Sequence, residues 1–267
     1  MLCYPLEPRH VDQIAAAAPH ADVIDAGQER VAELLPTADI FCGHTKVPTP
    51  WDEVVKQGRL QWIQSSAAGL DHCLVPSVVE SDITVTSASG VLANQVADHT
   101  MALLAGLLRS LPTYFRAQQK REFIRRPTGD LQGTCIGIIG LGRNGRRLAE
   151  VLSVFQTKII ATDWYAVNKP PQVEELLPAD AVDEMLPRIG ILILAAPLTP
   201  VTRHMIDARR LALLPKGAIV VNVARGQLVV TEDLIAALES GHSVVRRWTS
   251  PTPNRCRPQA GCGISRT

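Results

Sequence analysis

The stretch CIGIIGLGRNGRR, residues 135–147, constrains this chain more than any other. An apolar run that reads as a buried strand meets Gly140-x-Gly142-x-x-Gly145 and then a helical pattern. That context separates the glycine spacing from a chance match. Gly140 permits a tight turn, Gly142 lets the backbone approach a pyrophosphate, and Gly145 lets helix and strand pack closely. The pyrophosphate would sit on helix N-terminal N–H groups, where the helix dipole favours negative charge. Arg143 can add a side-chain phosphate contact, with Asn144 beside it in the same turn. Eighteen residues after Gly145, Asp163 ends the next strand, KIIATD. A carboxylate there accepts hydrogen bonds from ribose hydroxyls and repels a 2′-phosphate, which points to NAD rather than NADP.

The pattern around this motif is α/β. Residues 10–18, 28–35, 51–57 and 91–109 read as helices, and 40–42, 61–64 and 83–86 as strands. A second series follows, with strands at 135–139, 158–162, 189–195 and 218–223 and helices at 144–155, 207–214 and 232–240. Such alternation implies parallel sheets with helices on their faces, hence two doubly wound lobes. Residues 116–129 are polar, basic and Pro-containing, and read as a connector. A length of 267 residues suits one large or two small domains at roughly 150 residues each. With 46% hydrophobic and 20% charged residues, global disorder is excluded. No apolar run approaches the roughly 20 residues that span a bilayer, so no membrane role is expected. The scattered Cys3, Cys42, Cys73 and Cys135 fit reduced thiols in a cytoplasmic protein better than disulfides or a metal site. Five arginines fall after residue 242; without them the charge is 22 basic against 26 acidic, and no nucleic-acid surface is expected.

Three further blocks carry a resemblance: SSAAGLDH at 65–72, LAAPLTPVTR at 194–203 and VNVARGQLV at 221–229. Together with the glycine motif they make the chain, from about residue 35 to 242, resemble the D-isomer-specific 2-hydroxyacid dehydrogenases. The resemblance implies a flavodoxin-like substrate domain, here 1–95, and a Rossmann NAD-binding domain, here 96–242. It implies NAD as cofactor, a small 2-oxo or 2-hydroxy acid as substrate, and a homodimer. Arg225 would bind the substrate carboxylate with its planar fork and polarise the keto oxygen. The backbone N–H groups of Ala68, Gly69 and Leu70 would also bind that carboxylate, and Asn94 would face the cleft. Ala196 and Pro197 would line the nicotinamide pocket, with Val223, Ala224 and Arg225 beside them in the cofactor set. The expected cleft is lined by Gly69, Asn94, Gly142 and Arg225. His44, His72 and His99 do not match the family's catalytic histidine; His72 reads as a local loop contact and His99 as a helix-face residue. Val230 stands where the family usually has Asp, and Asp98 where it often has Glu.

The family's proton donor is a His paired with a Glu, in TPH and LDV…EPLP segments, and neither segment is present. Residues 243–267 are instead Arg/Pro-rich and aperiodic, an aberrant tail expected to be disordered. Their codons admit another reading. Dropping two bases just before Trp248 turns the tail into LDVTDPEPLPPAGWLRDLEN, with wobble bases chosen to fit. The written residues constrain two of every three bases in that frame, so a frameshift just before Arg247 is expected. Three readings result: a dehydrogenase with a damaged C-terminus, an inactive NAD-binding fragment, and a non-enzymatic NAD sensor.

Overall fold

The computed structural model describes residues 1–4 and 6–241 and the backbone of Ser243–Trp248. The chain divides into two units between Val91 and Leu92. The sequence reading placed that boundary at 95, inside the helix Ala93–Leu108; the whole helix goes with the second unit.

In the first unit, β1 (Leu2–Cys3), β2 (Ile40–Gly43), β3 (Trp62–Ser65) and β4 (Thr84–Ser87) form a parallel sheet in sequential order. A single parallel bridge joins Leu2 to Asp25 on the free side of β1. Counting that segment as a strand, the order becomes the 2-1-3-4-5 of flavodoxin-like sheets. The helices are α1 (Pro8–Ala17), α2 (Val31–Leu34), α3 (Trp51–Gln57) and α4 (Pro76–Val79). Pro8 sits at the start of α1, where its missing N–H costs nothing. Val31, Phe41, Trp51, Val54, Ile63 and Val78 meet in one core, with the Phe41 and Trp51 rings edge to face at 6.0 Å.

The second unit opens with α5 (Ala93–Leu108) and α6 (Leu111–Gln119). Its sheet holds β5 (Cys135–Ile139), β6 (Lys158–Asp163), β7 (Glu175–Pro178), β8 (Ile191–Leu194), β9 (Ala218–Asn222) and β10 (Ser243–Trp248). All pairings are parallel, in the order β10-β9-β8-β5-β6-β7. That is the doubly wound dinucleotide-binding order, and it reverses between β5 and β8. Period-two alternation feeds two cores. Ile136, Ile138, Ile191 and Ile193 face one, with Leu148 and Leu152 of α7 (Arg143–Ser153). Leu192, Leu194 and Val220 face the other, with Met185 of α8 (Val182–Met185), Leu211 of α9 (Ala208–Leu213) and Leu234 of α10 (Thr231–Glu239). Helix α7 buries Gly145, Leu148, Ala149 and Leu152, the spacing of a single apolar stripe.

Two expectations need correction. The connector expected at 116–129 is partly α6, which Pro112 can begin because a first-turn proline needs no N–H partner. The tail does not lose order at 243: Val244 and Val245 pair with Ile219 and Val220, so β10 covers the edge of β9. β-branched residues favour such pairing. The rest of the expected disordered tail, from 249, lies outside the described residues.

Candidate active site

Parallel order puts the carboxyl ends of β9, β8, β5 and β6 side by side along one edge. Open α/β sheets bind ligands at that edge, where the strand order reverses. At the end of β5, Gly140 has φ +95°, and a Cβ there would lie 2.6 Å from the Ala196 backbone. Only glycine fits that turn. A Cβ on Gly145 would lie 2.1 Å from the Gly140 carbonyl oxygen, so helix α7 can seat on the loop only with glycine there. Gly142 differs: nothing stands within 4 Å of its Cβ position, so its backbone borders open space. It caps α7 with an extended backbone and no side-chain cap. The first-turn N–H groups of α7 therefore begin at an open surface, beside exposed Arg143 and half-buried Asn144.

Asp163 ends β6 next to this loop. Its Oδ2 accepts the Leu141 N–H at 2.6 Å and its Oδ1 the Tyr165 N–H at 2.9 Å. A carboxylate offers about four acceptor sites, so two remain for ribose hydroxyls. One residue thus shapes the glycine loop and presents an anion beside it. Ala196 and Pro197 follow β8; Ala196 is buried, and the Pro197 carbonyl accepts the Thr202 hydroxyl at 2.6 Å. A dinucleotide fits these residues: an unstoppered helix N-terminus, a glycine face without a side chain and an acid one strand away.

Beyond β9, Val223 donates its N–H to the Leu194 carbonyl at 3.1 Å. Arg225 has an extended backbone, and its Nη1 donates to the Ala224 carbonyl at 3.1 Å. The buried Asn222 side chain bonds both the Ala224 N–H and the Arg225 carbonyl. Asn222 was quoted in the motif but given no role, although an amide ending the apolar run AIVVN is the signal of a satisfied buried polar group.

In the first unit, Ala68, Gly69 and Leu70 follow β3. Ser65 Oγ accepts the Ala67 N–H at 3.1 Å, and the Leu70 carbonyl accepts the N–H groups of Cys73 and Leu74. The loop is pinned at both ends. His72 Nε2 lies 3.4 Å from Ser65 Oγ, and its ring lies against that of His44, with centroids 4.2 Å apart and planes tilted by 41°. Sequence spacing gives no sign of that ring contact, between residues far apart in the chain. Asn94 stands exposed in the first turn of α5, and His99 is exposed further along the same helix.

A charge cluster lies away from these loops. Asp183 of α8 accepts from Arg209 at 2.6 Å and Arg210 at 2.7 Å, and those bonds hold its carboxyl below the usual range. Among the described residues no three His, Cys, Asp or Glu side chains could together hold a metal ion. No helix among them is long and apolar enough to cross a membrane.

Residues 101–245 match the family described as D-isomer specific 2-hydroxyacid dehydrogenase, NAD binding domain. D-3-phosphoglycerate dehydrogenase of Methanocaldococcus jannaschii is 32% identical over 219 residues, covering 80% of this chain and 41% of that protein. Glyoxylate reductase of Thermococcus gammatolerans is 35% identical over 194 residues, covering 68% of this chain and 57% of that protein. The chain therefore spans about half the length of these relatives. Among solved structures, a D-isomer specific 2-hydroxyacid dehydrogenase family protein from Aeromonas salmonicida shares the fold at a TM-score of 0.78. It is 24% identical, and the match covers 97% of this chain and 84% of that one. The glycine loop, the acid after β6 and the matched family domain converge: this chain belongs to the D-isomer specific 2-hydroxyacid dehydrogenases and carries their NAD-binding domain.

Proposed function

We propose that the protein is an NAD-dependent oxidoreductase that interconverts a small D-2-hydroxy acid and its 2-oxo acid. The observation that carries this reading is the guanidinium of Arg225, set just past β9 on the strand edge that also holds the glycine loop. When bound, NAD supplies or accepts the hydride. The N–H groups at the start of α7, with Arg143 and Asn144, hold the pyrophosphate above Gly140, Gly142 and Gly145. Asp163 takes the ribose hydroxyls and disfavours a 2′-phosphate. Ala196, Pro197, Val223 and Ala224 line the nicotinamide side. Arg225 binds the substrate carboxylate and draws electron density toward the keto oxygen, a preorganised charge where negative charge develops. By the family resemblance, the amides of Ala68, Gly69 and Leu70 on the first unit and Asn94 of α5 on the second are proposed as further substrate contacts. We assign the chain to the cytoplasm and to a homodimer; the exposed Leu111, Phe115 and Phe123 support a covered face on that part of the second unit.

A second reading has its own support. The TPH and LDV…EPLP segments that carry the family's His and Glu are not read in this frame, and residues 243–267 are Arg/Pro-rich instead, which supports a chain that leaves its family's sequence at about 247 and is an inactive NAD-binding fragment. The two readings separate in one experiment. The 267-residue chain and a version with the frame restored are assayed for NADH oxidation with glyoxylate, hydroxypyruvate and pyruvate. The restored chain should turn over at least one of them and lose that activity in Arg225→Ala. The chain as written should be slower by more than the roughly 10²–10⁴-fold that general acid–base catalysis supplies. Equal rates would sink the frameshift reading, and a fully active Arg225→Ala would sink the dehydrogenase reading.

A further inference from the structure

Asn222 is the last residue of β9 and is 3% exposed, a primary amide set into an aliphatic sheet. Burying an amide is unfavourable unless its hydrogen-bonding groups are used. Here both are. Oδ1 accepts the Ala224 N–H at 3.0 Å, closing an Asx turn two residues on, and Nδ2 donates to the Arg225 carbonyl at 2.8 Å. The second bond matters for function. The segments on either side are tied independently: Val223 to the Leu194 carbonyl before Arg225, and the isolated bridge Ile206↔Val229 after it. The Arg225 carbonyl also accepts the Leu228 N–H, at 3.2 Å. The Asn222 amide spans the interval between those anchors and holds the 223–224 and 225–226 peptide groups, so the Ala224–Arg225 pair is clamped at its two ends.

We infer that Asn222 is a positioning residue for Arg225, a buried clamp that sets the direction in which the guanidinium leaves the strand edge. The inference rests on the proposed role of Arg225 as the carboxylate-binding group. Arg–carboxylate recognition is bidentate and planar, so its strength depends on angle as well as distance. A main chain free to rotate at 225 would keep the charge and lose the alignment. NAD binding draws mainly on the β5, β6 and β8 loops, with Val223 and Ala224 alone from the loop after β9, and would be largely kept. A purely structural amide would act differently, lowering stability and affecting both ligands alike.

Asn222→Ser tests this, because a serine hydroxyl can still close the turn to the Ala224 N–H but cannot also span to the Arg225 carbonyl. The full chain, Asn222→Ser and Arg225→Ala are titrated with NADH by fluorescence, and each NADH complex is titrated with oxamate, a carboxylate that mimics a 2-oxo acid. Asn222→Ser should keep NADH affinity within about twofold and weaken oxamate by about tenfold or more, the scale set by a small misplacement of a positioned group. Arg225→Ala should lose oxamate binding altogether. Where Asn222→Ser unfolds, Asn222→Asp, which keeps the acceptor for Ala224 and the side-chain volume, should show the same split. Oxamate affinity unchanged in a folded Asn222→Ser, beside a clear loss in Arg225→Ala, overturns the positioning role. An equal loss of NADH and oxamate overturns it too. If Arg225→Ala binds oxamate normally, or the parent chain does not bind it, the role of Arg225 itself fails.

Discussion

The two parallel sheets use their faces differently. In the six-stranded sheet, successive residues of β8 enter opposite cores, and Ile191, Leu192, Ile193 and Leu194 are all at most 1% exposed. In the four-stranded sheet, Phe41 and Ile63 are fully buried while their strand neighbours Ile40 and Trp62 are 40% and 39% exposed. The exposed face is partly polar: the Trp62 indole donates to Thr86, which donates to Gln64. A sheet covered on both sides needs unbroken apolar strands such as ILIL, whereas one packed on a single side alternates, as IFCG and WIQS do. The loops proposed to hold the cofactor and the substrate carboxylate, 140–145 and 222–225, grow from the doubly covered sheet.

Core deletions should break the comparison most visibly. Leu192→Ala leaves a cavity in a sealed layer and should cost about 2–5 kcal/mol, read as a shifted urea midpoint. Ile40→Ala, on the open face, should cost less than about 1 kcal/mol. Equal costs would mean that the open face of the first sheet is covered in solution.

The glycine loop sharpens the contrast at a finer scale. Gly145→Ala drives a Cβ toward the Gly140 carbonyl and should cost about 3 kcal/mol, with NAD binding lost as the loop shifts. Gly142→Ala meets no atom, so thermal unfolding should barely change while NADH binding weakens sharply. A Gly142→Ala chain that binds NADH normally would show that the pyrophosphate does not approach this face.

Asp163→Asn should have an intermediate effect. The amide keeps one acceptor but sets its NH₂ against a backbone N–H, so the bond from Leu141 or Tyr165 is lost, at about 1.5–3 kcal/mol for a charged acceptor. NAD affinity should fall and the preference over NADP narrow, since the charge that repels a 2′-phosphate is gone. Comparable NAD and NADP dissociation constants in the unmutated protein would remove the basis for that assignment.

How much of this was legible follows from where the constraints lie. The strand over 135–139 was placed without error, and α7 and β6 to within two residues, because glycine, apolar run and acid are local signals. The elements that went unread are short or sit at edges. β1 has two residues, and β7, ELLP, ends on a proline at the sheet edge. β10 was hidden by two arginines that read as the start of a basic tail. The Asn222 clamp and the His44–His72 ring contact are tertiary facts: one depends on a turn closing after β9, the other on two strands pairing. Sequence spacing carries neither.

The smallest expected effect concerns thiols and again separates the two units. Burial raises the Cys3, Cys42 and Cys73 thiols of the first unit, and burial followed by the Asp71 charge pushes Cys73 up to about 11. In the second unit Cys135 is also raised by burial, with Arg188 opposing the rise as the N-terminal ammonium does at Cys42. A folded-state value above the ordinary 9.0 means that the unfolded chain ionises first. The stabilising contribution of the neutral Cys73 thiol is therefore complete below pH 9 and is lost as pH rises through about 11. The loss should reach about 1 kcal/mol near pH 10. Urea midpoints measured at pH 8, 9 and 10 should fall in the parent chain and fall less in Cys73→Ala, once the alanine's own core cost is subtracted at pH 8. A parallel decline in both chains would place the alkaline sensitivity elsewhere, with Cys42 and Cys3 the next thiols to replace.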